Sequence, residues 1–265
     1  MTRLPLVMIH GAFVGPWSFD YFREPFEDAG YPVHTPVLRH HDKSQKPPTS
    51  LGATSLLDYA ADLEAFIKTL DDTPVLVGHS LGGLLAQMLA ARGHARALVL
   101  LAPCPPWGVL PSTLFEIASA QAMLLTGPLW NQVLKPDYDV AAAHSLDRLS
   151  PVERKRVFAR FVPESGLATS EIMHWGWDAK RASHVSASAV TCPILCITGE
   201  HDKINPPSTM RRVAARYRDC TFEEASGHSH WLLGEVGWEK IAQRSLDWIN
   251  KTVGAPARKR AKSRR

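Results

Sequence analysis

Residues 74–83 read Pro74-Val75-Leu76-Val77-Gly78-His79-Ser80-Leu81-Gly82-Gly83. An apolar run typical of a buried strand leads directly into Gly-His-Ser-Leu-Gly, and a helical pattern follows at once, so strand must become helix within a few residues. Side chains at positions 78 and 82 would collide with the neighbouring strand and helix, and the serine backbone is forced into a conformation that residues other than glycine rarely adopt. The stretch therefore predicts a strained turn that lifts the Ser80 hydroxyl clear of the sheet as a nucleophile.

The helix after this turn supplies a second feature. The N–H of Leu81 lies in its first turn, where peptide donors lack intrahelical acceptors and the helix dipole favours an anion. Leu81 is therefore a candidate donor of an oxyanion hole beside Ser80. A G-x-S-x-G pattern also occurs by chance in glycine-rich loops, so the flanking strand and helix decide the interpretation.

In this context the sequence resembles the α/β-hydrolase superfamily over nearly the whole chain before its C-terminal tail. The resemblance implies a three-layer α/β fold with a mostly parallel sheet of about six strands, since a first strand near Leu4 leaves no room for two earlier ones. We expect an α/β-hydrolase core in residues 1–106 and 187–254, a helical cap inserted at 107–186 and a basic disordered tail at 255–265. The apolar fraction of 45% in 265 residues supports one large core.

The formal net charge of +4 comes largely from the tail. Its run Arg258-Lys259-Arg260-Ala261-Lys262-Ser263-Arg264-Arg265 holds six positive charges, which leaves −2 on the rest of the chain. A basic tail can touch nucleic acid or anionic lipid, but a short run without aromatic residues is typical of a disordered terminus. We therefore expect neither nucleic acid nor a membrane as a partner.

Cysteine usage and the N-terminus indicate a cytoplasmic protein. The four cysteines are sparse and show no chelating pattern, so they predict reduced core thiols: Cys104, Cys192, Cys196 and Cys220. The first apolar run ends at His10, which is too short for a membrane span, and no export signal precedes it. We expect neither a metal nor a cofactor.

Strand and helix patterns alternate through the first hundred residues. They predict strands over 4–9, 31–38 and 97–102 and helices over 17–29 and 55–70, with a surface loop over 40–50. Such alternation implies parallel strands joined by right-handed crossovers.

The first predicted strand ends at His10-Gly11-Ala12. In the family, a His-Gly loop at this place supplies the second oxyanion donor, so the resemblance implies the N–H of Ala12, with Gly11 allowing the backbone to approach the substrate oxygen. Taken alone, the dipeptide is also compatible with an ordinary turn that ends a strand.

Residues 107–186 contain no convincing strand but several helical patterns. One is opened by the capping box Ser150-Pro151-Val152-Glu153, with proline at the first helical position. Because open α/β sheets bind ligands at the carboxyl ends of their strands, we expect this cap to cover that edge. Most aromatic residues of the segment should pack the cap while one or two face a pocket: Trp107, Phe115, Trp130, Phe158, Phe161, Trp175 and Trp177.

Alternation resumes with a strand over 193–198. The loop after it, Gly199-Glu200-His201-Asp202, resembles the acid loop of the family and implies Asp202 as the acid of a catalytic triad, with Glu200 as its rival. Asn205 and Pro206 fit the N-cap and first residue of the next helix.

The last predicted strand, 220–225, is followed by Ser226-Gly227-His228-Ser229-His230, and a closing helix is predicted over 235–253. The family places its catalytic histidine in a Gly-His loop, which selects His228 over His230. The chain order Ser80, Asp202, His228 is the order this fold uses, and each residue follows a predicted strand.

The resemblance implies a serine hydrolase that cleaves carboxylic esters of small apolar or aromatic substrates through an acyl-enzyme. Serine at the turn argues against the aspartate nucleophile of haloalkane dehalogenases and epoxide hydrolases. Gly11 and Ser229 depart from the threonine and lysine usual in hydroxynitrile lyases. Two alternatives stay open, a C–C bond hydrolase of diketone-type substrates and a hydrolase-like ligand-binding receptor.

Overall fold

Six short strands form the central sheet of the computed structural model, which describes residues 4–43, 46–125 and 127–254. The central sheet has the order β2-β1-β3-β4-β7-β8, and each of its pairings is parallel. This confirms the expected parallel sheet of about six strands. In chain order the strands are β1 (Leu6–Ile9), β2 (Val33–His34), β3 (Val75–His79), β4 (Ala97–Leu101), β5 (Val133–Leu134), β6 (Glu164–Ser165), β7 (Ile194–Gly199) and β8 (Cys220–Ala225).

Helices cover both faces of this sheet. The α-helices are α1 (Glu24–Asp28), α2 (Leu56–Ile67), α3 (Leu81–Ala91), α4 (Leu114–Leu125), α5 (Tyr138–His144), α6 (Pro151–Phe158), α7 (Gly166–Met173), α8 (Pro207–Ala214) and α9 (Trp238–Val253). Side chains alternate along each strand, so Ile9 and Leu76 join one apolar cluster with α2, α3 and α8, whereas Met8 and Val77 join another with α1 and α9. The three-layer fold is thus confirmed.

The predicted helix over 17–29 is wrong. The structure instead has a 3₁₀ turn at Pro16–Phe19 and then the short helix α1. Pro25 lies in the first turn of α1, where its missing N–H costs nothing, but it would interrupt a helix that had begun eight residues earlier.

The strand predicted over 31–38 is reduced to the two residues of β2. Pro32 directly precedes those residues and Pro36 follows them after one intervening residue. A proline has no N–H to donate to a neighbouring strand, so pairing does not extend far in either direction. The edge of the sheet is therefore short at this end.

Two later helices begin further along the chain than predicted. Pro206 lies before α8 rather than inside it, because it precedes Pro207 and a residue before proline is disfavoured in the helical conformation. Asn205 belongs to the preceding loop, where its N–H donates to Asp202 and its side-chain amide donates to the carbonyl of Ala102. Helix α9 begins three residues after Glu235, whose carboxylate accepts hydrogen bonds from the loop before it.

Between β4 and β7 the chain leaves the sheet and forms α4 to α7 together with the antiparallel pair β5 and β6. The predicted helices and the capping box at Ser150 and Glu153 are present, but the expectation of no strand in this segment is wrong. A two-residue strand is too short to show a periodicity in sequence. The limits of the cap at residues 107 and 186 stay a prediction.

This insertion lies on loops that follow strands of the central sheet. The N–H of Val162 donates to the carbonyl of Phe13, just after β1, over 2.8 Å. Leu146 of the insertion shares an apolar cluster with Trp231, in the loop after β8. Because both loops leave the carboxyl ends of parallel strands, the insertion covers the edge at which α/β sheets bind ligands.

Among the described residues, no helix combines the length and the apolar character needed to cross a membrane. The predicted basic tail, residues 255–265, lies outside the described residues.

Main-chain atoms leave no room for a side chain at Gly82. A Cβ there would overlap the carbonyl oxygen of Ile9 and lie 2.6 Å from that of His10, so main chain rather than a flexible side chain would have to move. We expect Gly82→Ala to lower the free energy of unfolding by about 3 kcal/mol or more, measured by urea denaturation. Gly176→Ala is the control, because a Cβ at Gly176 meets no atom within 4 Å. Equal stability of the two variants would contradict the close approach.

Candidate active site

The turn between β3 and α3 holds Ser80 in a strained backbone conformation. Its φ of 53° and ψ of −118° lie outside the regions that residues with a side chain normally occupy. The turn is fixed by hydrogen bonds from the N–H of Ser80 to the carbonyl of Leu101 (3.0 Å) and from the N–H of Cys104 to the carbonyl of Ser80 (2.9 Å). A Cβ at Gly78 would overlap the main chain of Gly82, which explains the glycine at position 78.

A chain of hydrogen bonds leads from Ser80 to a histidine and an aspartate. Ser80 Oγ lies 3.1 Å from Nε2 of His230, and Nδ1 of His230 lies 2.8 Å from Oδ2 of Asp202. The three residues come from the loops after β3, β8 and β7, and only 7%, 5% and 3% of their respective surfaces are exposed. Parallel topology therefore gathers three distant residues at one edge of the sheet.

The histidine in this chain is His230, so the selection of His228 is wrong. The chain turns sharply at Gly227, whose φ is 76°, and the N–H of His228 bonds back to the carbonyl of Ala225 at the end of β8. The ring of His228 bonds the carbonyl of Ser226 through Nδ1 and lies outside the site. Two further residues carry the chain from the turn into the interior, where His230 is buried.

A signal for the correct histidine was present in the sequence. His230 is followed by Trp231, Leu232 and Leu233, an apolar run that enters the core, and all three are buried. Gly227, before His228, instead marks a turn at which the backbone adopts a positive φ.

Asp202 bonds the imidazole of His230, and Glu200 does not. The Oδ1 atom of Asp202 accepts hydrogen bonds from the N–H groups of Ile204 (2.8 Å) and Asn205 (2.9 Å), which leaves Oδ2 for His230. Glu200 instead bonds the turn at residues 226–227, on the surface. The carboxylate that faces the imidazole is thus held by peptide groups on its other side.

The surroundings of His230 fix its tautomer and raise its pKa. Burial disfavours the imidazolium, but the charge of Asp202 and its hydrogen bond outweigh burial and raise the pKa of His230 above its ordinary value. Because the Asp202 carboxylate can only accept, the Nδ1 atom of His230 carries the hydrogen of that bond. In the neutral ring, Nε2 then has a lone pair that accepts from the Ser80 hydroxyl.

The structure also brings the two candidate oxyanion donors to the nucleophile. A Cβ at Gly11 would lie 3.1 Å from the Cβ of Ser80, so the loop that contains Ala12 runs directly against the turn. Leu81 is the first residue of α3, where the peptide N–H has no acceptor in a preceding helical turn. The carbonyl oxygen of an acyl group attached to Ser80 Oγ would therefore have peptide groups from two different elements near it.

A buried ion pair, which the sequence reasoning missed, holds the loop of Ala12 from the insertion side. Oε2 of Glu164 accepts from Nε2 of His41 (2.9 Å) and from the N–H of Phe13 (3.4 Å). Its Oε1 accepts from Tyr59 Oη (2.8 Å) and from the N–H of Ser165 (2.7 Å). Burial opposes both charges, but each partner outweighs it, so the pKa of His41 is raised and that of Glu164 is lowered.

Cys104 is a further polar side chain beside the nucleophile. Its Sγ lies 3.7 Å from Ser80 Oγ, and burial raises its pKa to about 11, so it is a neutral thiol at physiological pH. Among the residues that the structure describes, no group of three or more histidine, cysteine or acidic side chains is arranged to hold a metal ion.

The chain belongs to the alpha/beta hydrolase family, which it matches over residues 6–244. It is 36% identical over 109 residues to the pimeloyl-[acyl-carrier protein] methyl ester esterase of Aromatoleum aromaticum, a match that covers 40% of this chain and 39% of that protein. It is 26% identical over 162 residues to the pyrethroid hydrolase of Sphingobium wenxiniae, which covers 59% of this chain and 50% of that protein. The matches span half or less of the length of these two curated relatives.

Solved structures show the same fold over almost the whole chain. An esterase from Thermogutta terrifontis superposes with a TM-score of 0.69 at 23% identity and covers 95% of this chain and 91% of its own. Methylketone synthase I of tomato, solved with 2-tridecanone, gives a TM-score of 0.71 at 19% identity and covers 95% of this chain and 100% of its own.

We expect the buried pair of His41 and Glu164 to contribute to the free energy of unfolding. Replacing His41 by leucine leaves a buried carboxylate without its counter-charge, which we expect to lower the free energy of unfolding by about 3–5 kcal/mol. Lys68→Leu breaks the exposed pair with Glu64 and should cost less than about 1 kcal/mol.

The loss of stability in His41→Leu should depend on pH, because both members of the pair titrate. The raised pKa of His41 gives stability that is complete below its unfolded value of 6.5, and the lowered pKa of Glu164 gives stability that is complete above its unfolded value of 4.5. Urea denaturation should therefore show the largest difference between wild type and His41→Leu between pH 4.5 and 6.5. A difference that grows steadily toward pH 9 would contradict a charged pair.

Proposed function

We propose that this member of the alpha/beta hydrolase family is a serine hydrolase that cleaves carboxylic esters of small apolar or aromatic substrates. Ser80 is the nucleophile, His230 the general base and Asp202 the acid that orients the imidazole. The observation that carries the proposal is the unbroken hydrogen-bond chain Ser80–His230–Asp202 at the strained turn.

In the proposed reaction, Nε2 of His230 takes the proton of Ser80 as Oγ attacks the acyl carbon of the ester. The carbonyl oxygen becomes negatively charged and is stabilised by the N–H groups of Ala12 and Leu81, each worth about 10²–10³ in rate. The imidazolium is stabilised by Asp202 and returns its proton to the departing alcohol. Water, deprotonated by the same imidazole, then hydrolyses the acyl-enzyme and releases the acid.

The substrate class is supported by the surroundings of the triad and by the relatives. Trp231, next to His230, belongs to a buried apolar cluster with Val14 and with Leu146 of the insertion. An apolar cluster directly beside the triad favours a substrate with apolar groups. The two curated relatives are named as a methyl ester esterase and a pyrethroid hydrolase, which agrees with ester cleavage.

The roles of the two histidines can be separated with short-chain p-nitrophenyl esters. We expect Ser80→Ala and His230→Ala each to lower kcat by at least about 10³-fold, because each removes a member of the triad. His228→Ala is the matched control and should keep kcat within about twofold, since its ring bonds only the carbonyl of Ser226. Circular dichroism checks that each variant is folded.

A fluorophosphonate label should attach to Ser80 in the wild-type protein and in His228→Ala, as mapped by peptide mass spectrometry. Activity retained in Ser80→Ala, or an equal loss in the two histidine variants, would contradict the proposed triad. Cleavage of diketones without ester turnover would assign C–C bond hydrolysis to the same residues.

The pH dependence of kcat/KM tests the state of His230. A general base must be neutral, and the pKa of this imidazole is raised because Asp202, with smaller contributions from Glu235 and Asp147, outweighs burial. The ring of His79 also lies against it, at 5.0 Å between centroids. We expect activity to rise with pH through a midpoint above the ordinary value of 6.5. A midpoint below that value would mean that Asp202 does not face the ring in solution.

A further inference from the structure

The loop that carries His230 contains a buried carboxylate for which the mechanism has no use. Glu235 lies between His230 and α9, and 1% of its surface is exposed. We propose that Glu235 is a positioning residue that holds the main chain on both sides of the catalytic histidine, with His79 holding it from the nucleophile side. The proposal rests on the proposed role of His230.

The two oxygens of Glu235 bond to the two residues that flank His230. Oε2 accepts from the N–H of Ser229 over 2.7 Å, and Oε1 accepts from the N–H of Trp231 over 3.0 Å. An ionised carboxylate only accepts hydrogen bonds and has a free lone pair on each oxygen, so it suits two peptide donors at once. The side chain therefore closes a small ring around the backbone of His230.

A third bond joins this loop to the nucleophile turn. His79, the residue before Ser80, lies within hydrogen-bonding distance of the carbonyl of His230 through Nε2 (2.9 Å). Burial lowers the pKa of His79 to about 3, so the ring is neutral, and its single N–H must be on Nε2 because a carbonyl only accepts. The base and the nucleophile are thus connected through the main chain as well as through their side chains.

These bonds matter because Asp202 alone does not fix the distance that the reaction needs. Asp202 sets the rotation of the imidazole through Nδ1, but the position of Nε2 relative to Ser80 Oγ follows from where the backbone of His230 lies. A displacement of about 1 Å at a reacting group costs about 10²-fold in rate. Glu235 and His79 are the side chains that bond the peptide groups at and beside His230.

A merely structural role is the alternative. Glu235 also lies just before α9, where its main-chain carbonyl, which a side-chain substitution keeps, accepts from the N–H of Trp238. If its carboxylate only stabilises the loop before α9, loss of the carboxylate lowers stability without changing the chemistry of the remaining folded protein. Glu171 provides the comparison, because it is also a buried carboxylate that accepts two hydrogen bonds. Its donors are the N–H of Leu56 (2.7 Å) and the hydroxyl of Ser55 (2.7 Å), at the start of α2. Neither donor belongs to a proposed catalytic residue.

The experiment compares Glu235→Gln with the control Glu171→Gln in the full chain. An amide presents one oxygen and one NH₂ group, so Glu235→Gln keeps one of the two flanking bonds and faces the other N–H with a donor. We expect kcat for p-nitrophenyl acetate to fall about 10- to 100-fold with KM within about twofold. The rate at which fluorophosphonate labels Ser80 should fall by the same factor.

Two readouts distinguish positioning from stability. Glu235 contributes a negative charge that favours the imidazolium of His230, so the midpoint of the acid limb of kcat/KM should move to lower pH in Glu235→Gln. In proton NMR, the Nδ1–H resonance of His230 should shift or broaden in Glu235→Gln. Glu171→Gln should lower the stability while kcat stays within about twofold and the midpoint and resonance are unchanged.

The NMR readout does not depend on a substrate. Wild-type protein without ester turnover would reject the proposed function, whereas an unchanged His230 resonance in Glu235→Gln would reject the positioning role. A kcat within twofold of wild type, or a loss confined to KM, would reject it as well. If Glu235→Gln does not fold, His79→Leu removes the third bond and should reproduce the loss in kcat at constant KM, and an unaltered kcat there would overturn the proposal.

Discussion

The structure depends on the close approach of bare main chain at the turn between β3 and α3. Gly78 and Gly82 have no Cβ, so the start of α3 packs against the end of its own strand and against the carbonyl groups that end β1. This contact places the first N–H of the helix, the strained Ser80 and the loop of Ala12 within one small volume. A single side chain at either glycine would separate them. Backbone strain at Ser80 is tolerated because the packing of two strands and a helix determines that conformation from all sides.

Three buried carboxylates hold the loops around this turn. Asp202 bonds the imidazole of His230, and Glu235 accepts from the peptide groups on either side of it. Glu164 holds the loop after β1 by accepting from the N–H of Phe13. Taking a carboxylate out of water is costly unless hydrogen bonds and an opposite charge compensate it. Here each has two or more N–H or O–H donors, and His41 supplies a charge for Glu164. The arrangement fixes the geometry of the loops, which is what a reaction through preorganised donors requires.

Local sequence patterns were sufficient to predict most of the fold and much of the candidate site. The glycines around Ser80 and the alternation of strand and helix indicated a parallel sheet, because each is a property of neighbouring residues, and the resemblance to the α/β-hydrolase superfamily implied its six strands. His228 was wrong because Gly-His describes a turn, and the burial of the residue two positions later depends on tertiary packing. The pair of Glu164 and His41 joins residues 123 positions apart, so no local pattern could indicate it. The lengths of α1 and β2, by contrast, were indicated locally by Pro25, Pro32 and Pro36, which the apolar spacing outweighed in the prediction.

The insertion does more than cover the strand ends. Its residues 162–165 hold the main chain of Phe13 through the N–H of Val162 and the carboxylate of Glu164. Phe13 itself has a φ of 61°, a conformation that needs such support in a residue with a side chain, and it directly follows the candidate oxyanion donor Ala12. Because these contacts come from the insertion, the position of the candidate donor Ala12 depends on packing between the insertion and the loop after β1.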